Sequence, residues 1–161
     1  MGRPTALMTT IGLLLSIFSG GALARVDAHG HGRPDRVLSA HMARALNATD
    51  TARLRYISSS GSLLFEEGTA RGTLPGSMRA HCNLGATFSA SFTIYTHGGT
   101  ITGHGTATPH GSGIYESFAG TLVVSGGTGR YVHAHGHAGL YGTFNRRTYA
   151  LTVQTTGSLS Y

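Results

Sequence analysis

Between Thr87 and Thr96 the residues Phe88, Ala90, Phe92 and Ile94 alternate with Ser89, Ser91, Thr93 and Tyr95. Side chains on a strand point to opposite faces with period two, so this segment predicts a strand with one apolar and one polar side. Tyr149, Leu151, Val153, Leu159 and Tyr161 repeat the pattern near the end of the chain. Ile101, Gly103, Gly105 and Ala107 share one face of a further segment, and Val132, Ala134, Gly136 and Ala138 share one face of another. Rows of small residues inside strands mark strong coiling or close approach of a neighbouring backbone, as a small closed barrel requires. Turn signals stand at Leu74-Pro75-Gly76, Asn83-Leu84-Gly85, His97-Gly98-Gly99, Pro109 to Gly113, Gly126 to Gly129 and Asn145-Arg146-Arg147. They divide residues 52–161 into about eight strands. The expected fold is all-β, an eight-stranded antiparallel closed β-barrel, and closure would leave no exposed edge.

The chain before Ala52 has a different texture. Residues 25–51 hold Gly, His, Pro and Arg without period and read as a low-order leader, with one short helix predicted over Val37 to Leu46. Ahead of it, Arg3 supplies a positive start, Ile11 to Phe18 an apolar run, and Ala22-Leu23-Ala24 a small-x-small cleavage signal. Residues 1–24 are therefore expected to be a signal peptide, and the mature protein secreted. The apolar run falls short of the roughly 20 residues that cross a bilayer, so no membrane span is expected.

Composition refines this picture in three places. Gly and Pro account for 29 of 161 residues (25 and 4), below the level of low-complexity chains, which favours a folded core. The 12 basic residues, all Arg, outnumber 6 acidic ones, yet residues 61–161 carry only 5 Arg against 3 Glu. Without a basic stripe or an aromatic platform, no nucleic-acid partner is expected. Cys82 is the single cysteine, which excludes an internal disulfide and points to a buried thiol.

Two segments carry a resemblance. Gly99-Thr-Ile-Thr-Gly103-His-Gly105, followed by Gly120-Thr-Leu-Val-Val-Ser-Gly126-Gly-Thr-Gly129-Arg-Tyr131-Val-His-Ala134-His-Gly136, resembles the allene oxide cyclase and dirigent barrel superfamily, in particular its exported bacterial members. The likeness covers roughly residues 61–161. It implies an eight-stranded antiparallel barrel with a lumen, trimeric in plant members, and a site that includes a Cys on an early strand, here Cys82. The acidic, Asn-containing first strand of plant cyclases is matched only by Glu66 and Glu67, and His135 stands where dirigent proteins place a lumen Arg.

The candidate chemistry is sparse. His133, His135 and His137 alternate, so one strand face would present three imidazoles beside Tyr131 and Tyr141. A His-x-His pair spans about 7 Å on a strand, close to what a shared Zn or Cu ion needs if a neighbouring strand adds a ligand. The competing reading is a polar, exposed, His-rich face with no cofactor. Glu116 shares parity with Ile114, Phe118, Leu122 and Val124, which puts a carboxylate on an apolar face. Such a group would be desolvated or paired, and is the candidate for steering or protonating a ligand. Cys82 and Tyr131 complete the candidate ligand-binding set with Glu116 and the three imidazoles. The last Asp, Asp50, precedes the predicted barrel and no Gly-x-Ser-x-Gly elbow occurs, which argues against a Ser-His-Asp hydrolase.

Three functions fit these residues. The favoured one is a secreted barrel that binds a small, partly hydrophobic or phenolic molecule in its lumen. The second is a cyclase or dirigent-type enzyme or stereochemical guide, with Glu116 and the His face acting on that ligand. The third is a His-rich surface protein that binds metal or senses pH.

Overall fold

The computed structural model describes residues 44–161, and all of them belong to one barrel. The expected signal peptide, most of the expected leader and residues 37–43 of the predicted helix lie outside the described residues. Eight strands follow one another: β1 (Ala45–Ser60), β2 (Leu63–Gly72), β3 (Gly76–Leu84), β4 (Phe88–Thr96), β5 (Gly99–His110), β6 (Tyr115–Gly127), β7 (His135–Asn145) and β8 (Leu151–Ser160). A single 3₁₀ turn, Gly129–Tyr131, sits between β6 and β7. Each strand pairs antiparallel with the next, and β1 pairs with β8 to close the barrel.

β1 begins earlier than the change of texture suggested. Residues 45–51 belong to the barrel, because Ala45 to Leu54 pair with Ser160 to Leu151. Ala45 and Leu46 are thus strand, where the sequence pattern predicted the end of a helix. Inward positions here are Leu46, Ala48, Asp50 and Ala52, and their small or polar character hid the alternation.

The interior follows the predicted parity. Phe88, Phe92 and Ile94 of β4, Ile101 and Ala107 of β5, and Leu151 and Leu159 of β8 are buried, while Thr, Ser, His and Arg occupy most outward positions. Phe88 packs at a tilt against Phe118 and edge-on against Phe144, with ring centroids 5.8 and 6.0 Å apart. Two glycines make room for these rings. A Cβ on Gly142 would lie 2.5 Å from Phe118 Cζ and would also collide with the Thr152 carbonyl; one on Gly103 would lie 2.6 Å from Phe92 Cζ. Gly103 and Gly142 are therefore seats for aromatic rings on the adjacent strands, and the two rings fit in the lumen only because these residues are small.

Three strand ends depart from the pattern, the first at Val132 and Ala134, which were expected on a strand face with Gly136 and Ala138 but precede β7, with Val132 exposed in the turn. Tyr149 was expected on the inward face of the last strand, yet it lies in the β7–β8 turn with a left-handed backbone (φ 57°). Ile114 was expected inward and stands exposed in the β5–β6 turn. At all three places the alternation was extended across a turn, where period two no longer applies.

Replacing Gly142 with Ala should lower stability by about 1–3 kcal/mol, the usual cost of overpacking a filled core. Urea unfolding followed by circular dichroism reads this directly. An unchanged midpoint would show that the Phe118 ring does not need the glycine.

Candidate functional site

The lumen holds two small apolar chambers. The first, about 70 Å³, is lined by Leu54, Ala80, Cys82, Phe88, Phe118 and Leu140 among others. It lies toward the end of the barrel that carries the β1–β2, β3–β4, β5–β6 and β7–β8 turns. The second, also about 70 Å³, lies toward the opposite end and touches Asp50, Ala70, Ile101, Val124 and Leu159. Met78, Phe92, Leu122 and Val153 line both and form the partition between them. Each chamber is several times the roughly 10–15 Å³ that admits one water, and its apolar lining gives water few partners.

Two carboxyl groups are buried in this otherwise apolar interior. Glu116 projects inward from β6 and is 3% exposed, as its parity predicted. Arg146, on the β7–β8 turn, reaches its Oε2 at 2.7 Å. The approach is off-axis for a hydrogen bond, so the oxygen receives a compensating charge without a directional donor. Glu116 is accordingly a paired group at the rim of the barrel, held by a cation whose other side meets solvent.

Glu66 is the residue that the sequence reasoning passed over. It is 1% exposed and projects inward from β2, between the inward-facing Leu64 and Ala70. Its Oε1 has no partner, and its Oε2 meets only the Cys82 thiol, with 4.0 Å between Oε2 and Sγ. With no cation nearby, burial alone pushes its pKa up to about 7. Burial, reinforced by the charge of Glu66, pushes Cys82 up to about 12, so the thiol stays protonated and acts as a weak donor rather than a nucleophile. Ala80, the register partner of Glu66 on β3, and Cys82 both line the first chamber. In an eight-strand barrel β2 and β6 form opposite walls, so the two buried carboxyls approach the lumen from opposite sides. The signal for Glu66 was the same one that identified Glu116: a carboxylate in phase with Leu64 and Ala70. Its half-exposed neighbour Glu67, paired with Arg79 at 2.9 Å, disguised it as part of a solvated acidic pair.

The other candidates are distributed differently. Tyr131 is buried, but it packs at the far end of the barrel, its ring 4.8 Å from that of Tyr161 and beneath the Arg130 guanidinium. It lines neither chamber. His133 falls in the turn after the 3₁₀ segment rather than on a strand, while His135 and His137 point outward from β7. The three imidazoles therefore do not share one strand face. His135 Nδ1 instead lies 2.9 Å from the His133 carbonyl, and only His137 borders a chamber, the second. Among the described residues no three His, Cys, Asp or Glu side chains converge as metal ligands would. Asp50, read as preceding the barrel, is an inward residue of β1; its Oδ1 accepts the Leu74 amide at 2.7 Å and so anchors the β2–β3 loop. Burial raises its pKa, and the amides of Leu74 and Thr73 oppose that rise.

No family model, curated protein or solved structure matches this chain.

A carboxyl whose pKa is raised on folding binds its proton more tightly in the native state than in the unfolded one. Glu66 therefore supports the fold fully below about pH 4.5, and that support is lost as pH rises from there to about 7. Each pH unit of the displacement corresponds to about 1.4 kcal/mol. Glu66→Gln should remove the effect, so the variant should gain on the wild type between pH 5 and pH 8 in parallel urea titrations. Equal differences at the two pH values would mean that the carboxyl is not desolvated as described.

Proposed function

We propose that the barrel binds a small, partly apolar molecule bearing a hydroxyl group, such as a simple phenol, in the first chamber. The observation that carries this reading is an apolar chamber whose wall residue Cys82 has Glu66 behind it, a buried carboxyl that does not itself line the chamber and has one oxygen unpartnered. Ligand sites combine apolar walls with a few placed polar groups, and a buried acceptor without a donor is costly until something supplies one. A ring in the chamber would present its hydroxyl toward Glu66 past Cys82. Because the chamber is near 70 Å³, the ligand is one small ring; anything longer must displace the flexible Met78 and enter the second chamber. The closed eight-strand architecture supports the likeness to allene oxide cyclase and dirigent barrels, and the N-terminal pattern supports export of the mature protein.

A second reading rests on Glu66 itself. A carboxyl poised near pH 7 beside an apolar chamber is suited to giving or taking a proton, which is what a cyclase-type isomerisation would ask of it. Glu116 serves that role less well, since it is engaged in an ion pair with Arg146.

The test is a methyl-NMR titration of the full chain with 4-methylphenol and with toluene. Both should shift Leu122 and Leu140 signals saturably, and 4-methylphenol should bind up to about tenfold tighter, the worth of one net hydrogen bond of about 1–1.5 kcal/mol. Glu66→Met should abolish that preference, and Ala90→Leu, which fills the chamber, should abolish both interactions. Absence of saturable shifts with either probe, or binding indifferent to Ala90→Leu, would sink the proposal.

A further inference from the structure

The exposed large apolar side chains are not spread evenly. Of the nine among the described residues, Tyr56, Ile57, Ile114, Tyr115 and Tyr149 gather at the end of the barrel nearest the first chamber. They form a connected arc. Tyr56 and Tyr149 stack with ring centroids 5.4 Å apart, and Ile57 follows Tyr56 at the bulge in β1. Tyr149 shares its turn with Arg146, whose amide donates to the Ile114 carbonyl at 2.8 Å. Tyr115 adjoins Ile114 and pairs with Asn145, next to Arg146. Tyr115 is 72% exposed and Ile114 49%, both far beyond what packing on the barrel requires.

The charge at this end has one sign. The turns 61–62, 85–87, 111–114 and 146–150 contain two charged residues, Arg146 and Arg147, and no acid. The nearby carboxyls Glu66 and Glu116 are buried inside the barrel, and the half-exposed Glu67 is neutralised by its ion pair with Arg79. Arg147 is exposed, and its side chain makes no ion pair among the described residues.

We infer that this end of the barrel docks on an anionic lipid surface, with Ile57, Ile114 and the tyrosines entering the interfacial zone and Arg147 meeting lipid phosphate. Aromatic and aliphatic residues next to arginine suit the bilayer boundary, where tyrosine has an apolar body and a polar tip and an anionic surface attracts the guanidinium. A second copy of the chain fits less well, since meeting end to end would set Arg146 and Arg147 against their own counterparts. A soluble polyanion would use the arginines but leave Ile57 and Ile114 in water. The side wall is unsuited to lipid, because its outward positions carry Arg53, Arg79, His81, Thr93, Thr102 and His104 where a lipid-facing barrel needs an apolar band.

The experiment uses the full chain, which lacks Trp, so that Tyr115→Trp provides a single reporter. Vesicles of phosphatidylcholine with 30% phosphatidylglycerol should pellet the protein and shift the reporter emission to the blue, and pure phosphatidylcholine vesicles should do neither. The double variant Ile114→Ser with Tyr115→Ser, and separately Arg147→Glu, should each weaken binding at least fivefold, with unchanged circular dichroism. Binding that these variants leave intact would place the attraction in the arginines of the N-terminal segment and overturn the inference. So would a failure to bind either vesicle, equal binding to lipid-free dextran sulfate, or a concentration-dependent dimer that Tyr115→Ser abolishes.

Discussion

The pairing of β1 with β8, from Ala45 with Ser160 to Leu54 with Leu151, is the constraint on which the rest of the molecule depends. Once the sheet closes on itself with eight strands, the interior is only as wide as the side chains that fill it. Every large inward residue then requires a small one near it, which is why Phe92 lies over Gly103 and Phe118 over Gly142. Closure also removes backbone edges from most of the wall, so a chain with few charges can stay free of strand-to-strand association. The exception is the far end of β1, where Arg55 to Ser60 pair with β2 alone. That overhang carries an irregular register at Tyr56 and Ser58, a local distortion that interrupts a flat template.

Within this narrow interior the two buried carboxyls illustrate two outcomes for one functional group. Glu116 sits close enough to a turn for Arg146 to reach it, so its charge is compensated at the rim. Glu66 faces Ala80, Leu64 and Cys82, none of which brings a charge, and it keeps its proton up to near neutrality. A barrel that needed only stability would gain by an apolar residue at this position, as buried ionisable groups rarely repay their desolvation. Glu66 is thus the feature of the interior for which packing gives no reason, and the one on which the proposed ligand recognition rests.

How much of this was legible from residues alone follows the reach of period two. In β4 the alternation ran unbroken from Phe88 to Ile94, and the buried face followed directly. Glu116 was visible because Phe118, Leu122 and Val124 kept its phase. Glu66 was obscured by Glu67 beside it and by Gly68, which carries no side chain to continue the apolar row. The histidines were misplaced because the 3₁₀ turn at Gly129–Tyr131 and the residues after it break the alternation before β7 starts. For β1 the inward face is built from Ala48, Asp50 and Ala52, whose burial comes from closure rather than from hydrophobicity. The arc of Tyr56, Ile114 and Tyr149 could not be read at all, since it joins three segments far apart in the chain.

The partition formed by Met78, Phe92, Leu122 and Val153 makes the barrel a cup at either end rather than a pipe. On the reading proposed above, a ligand of the first chamber would enter and leave on one side only, and the surface that side faces would decide the phase from which it is drawn.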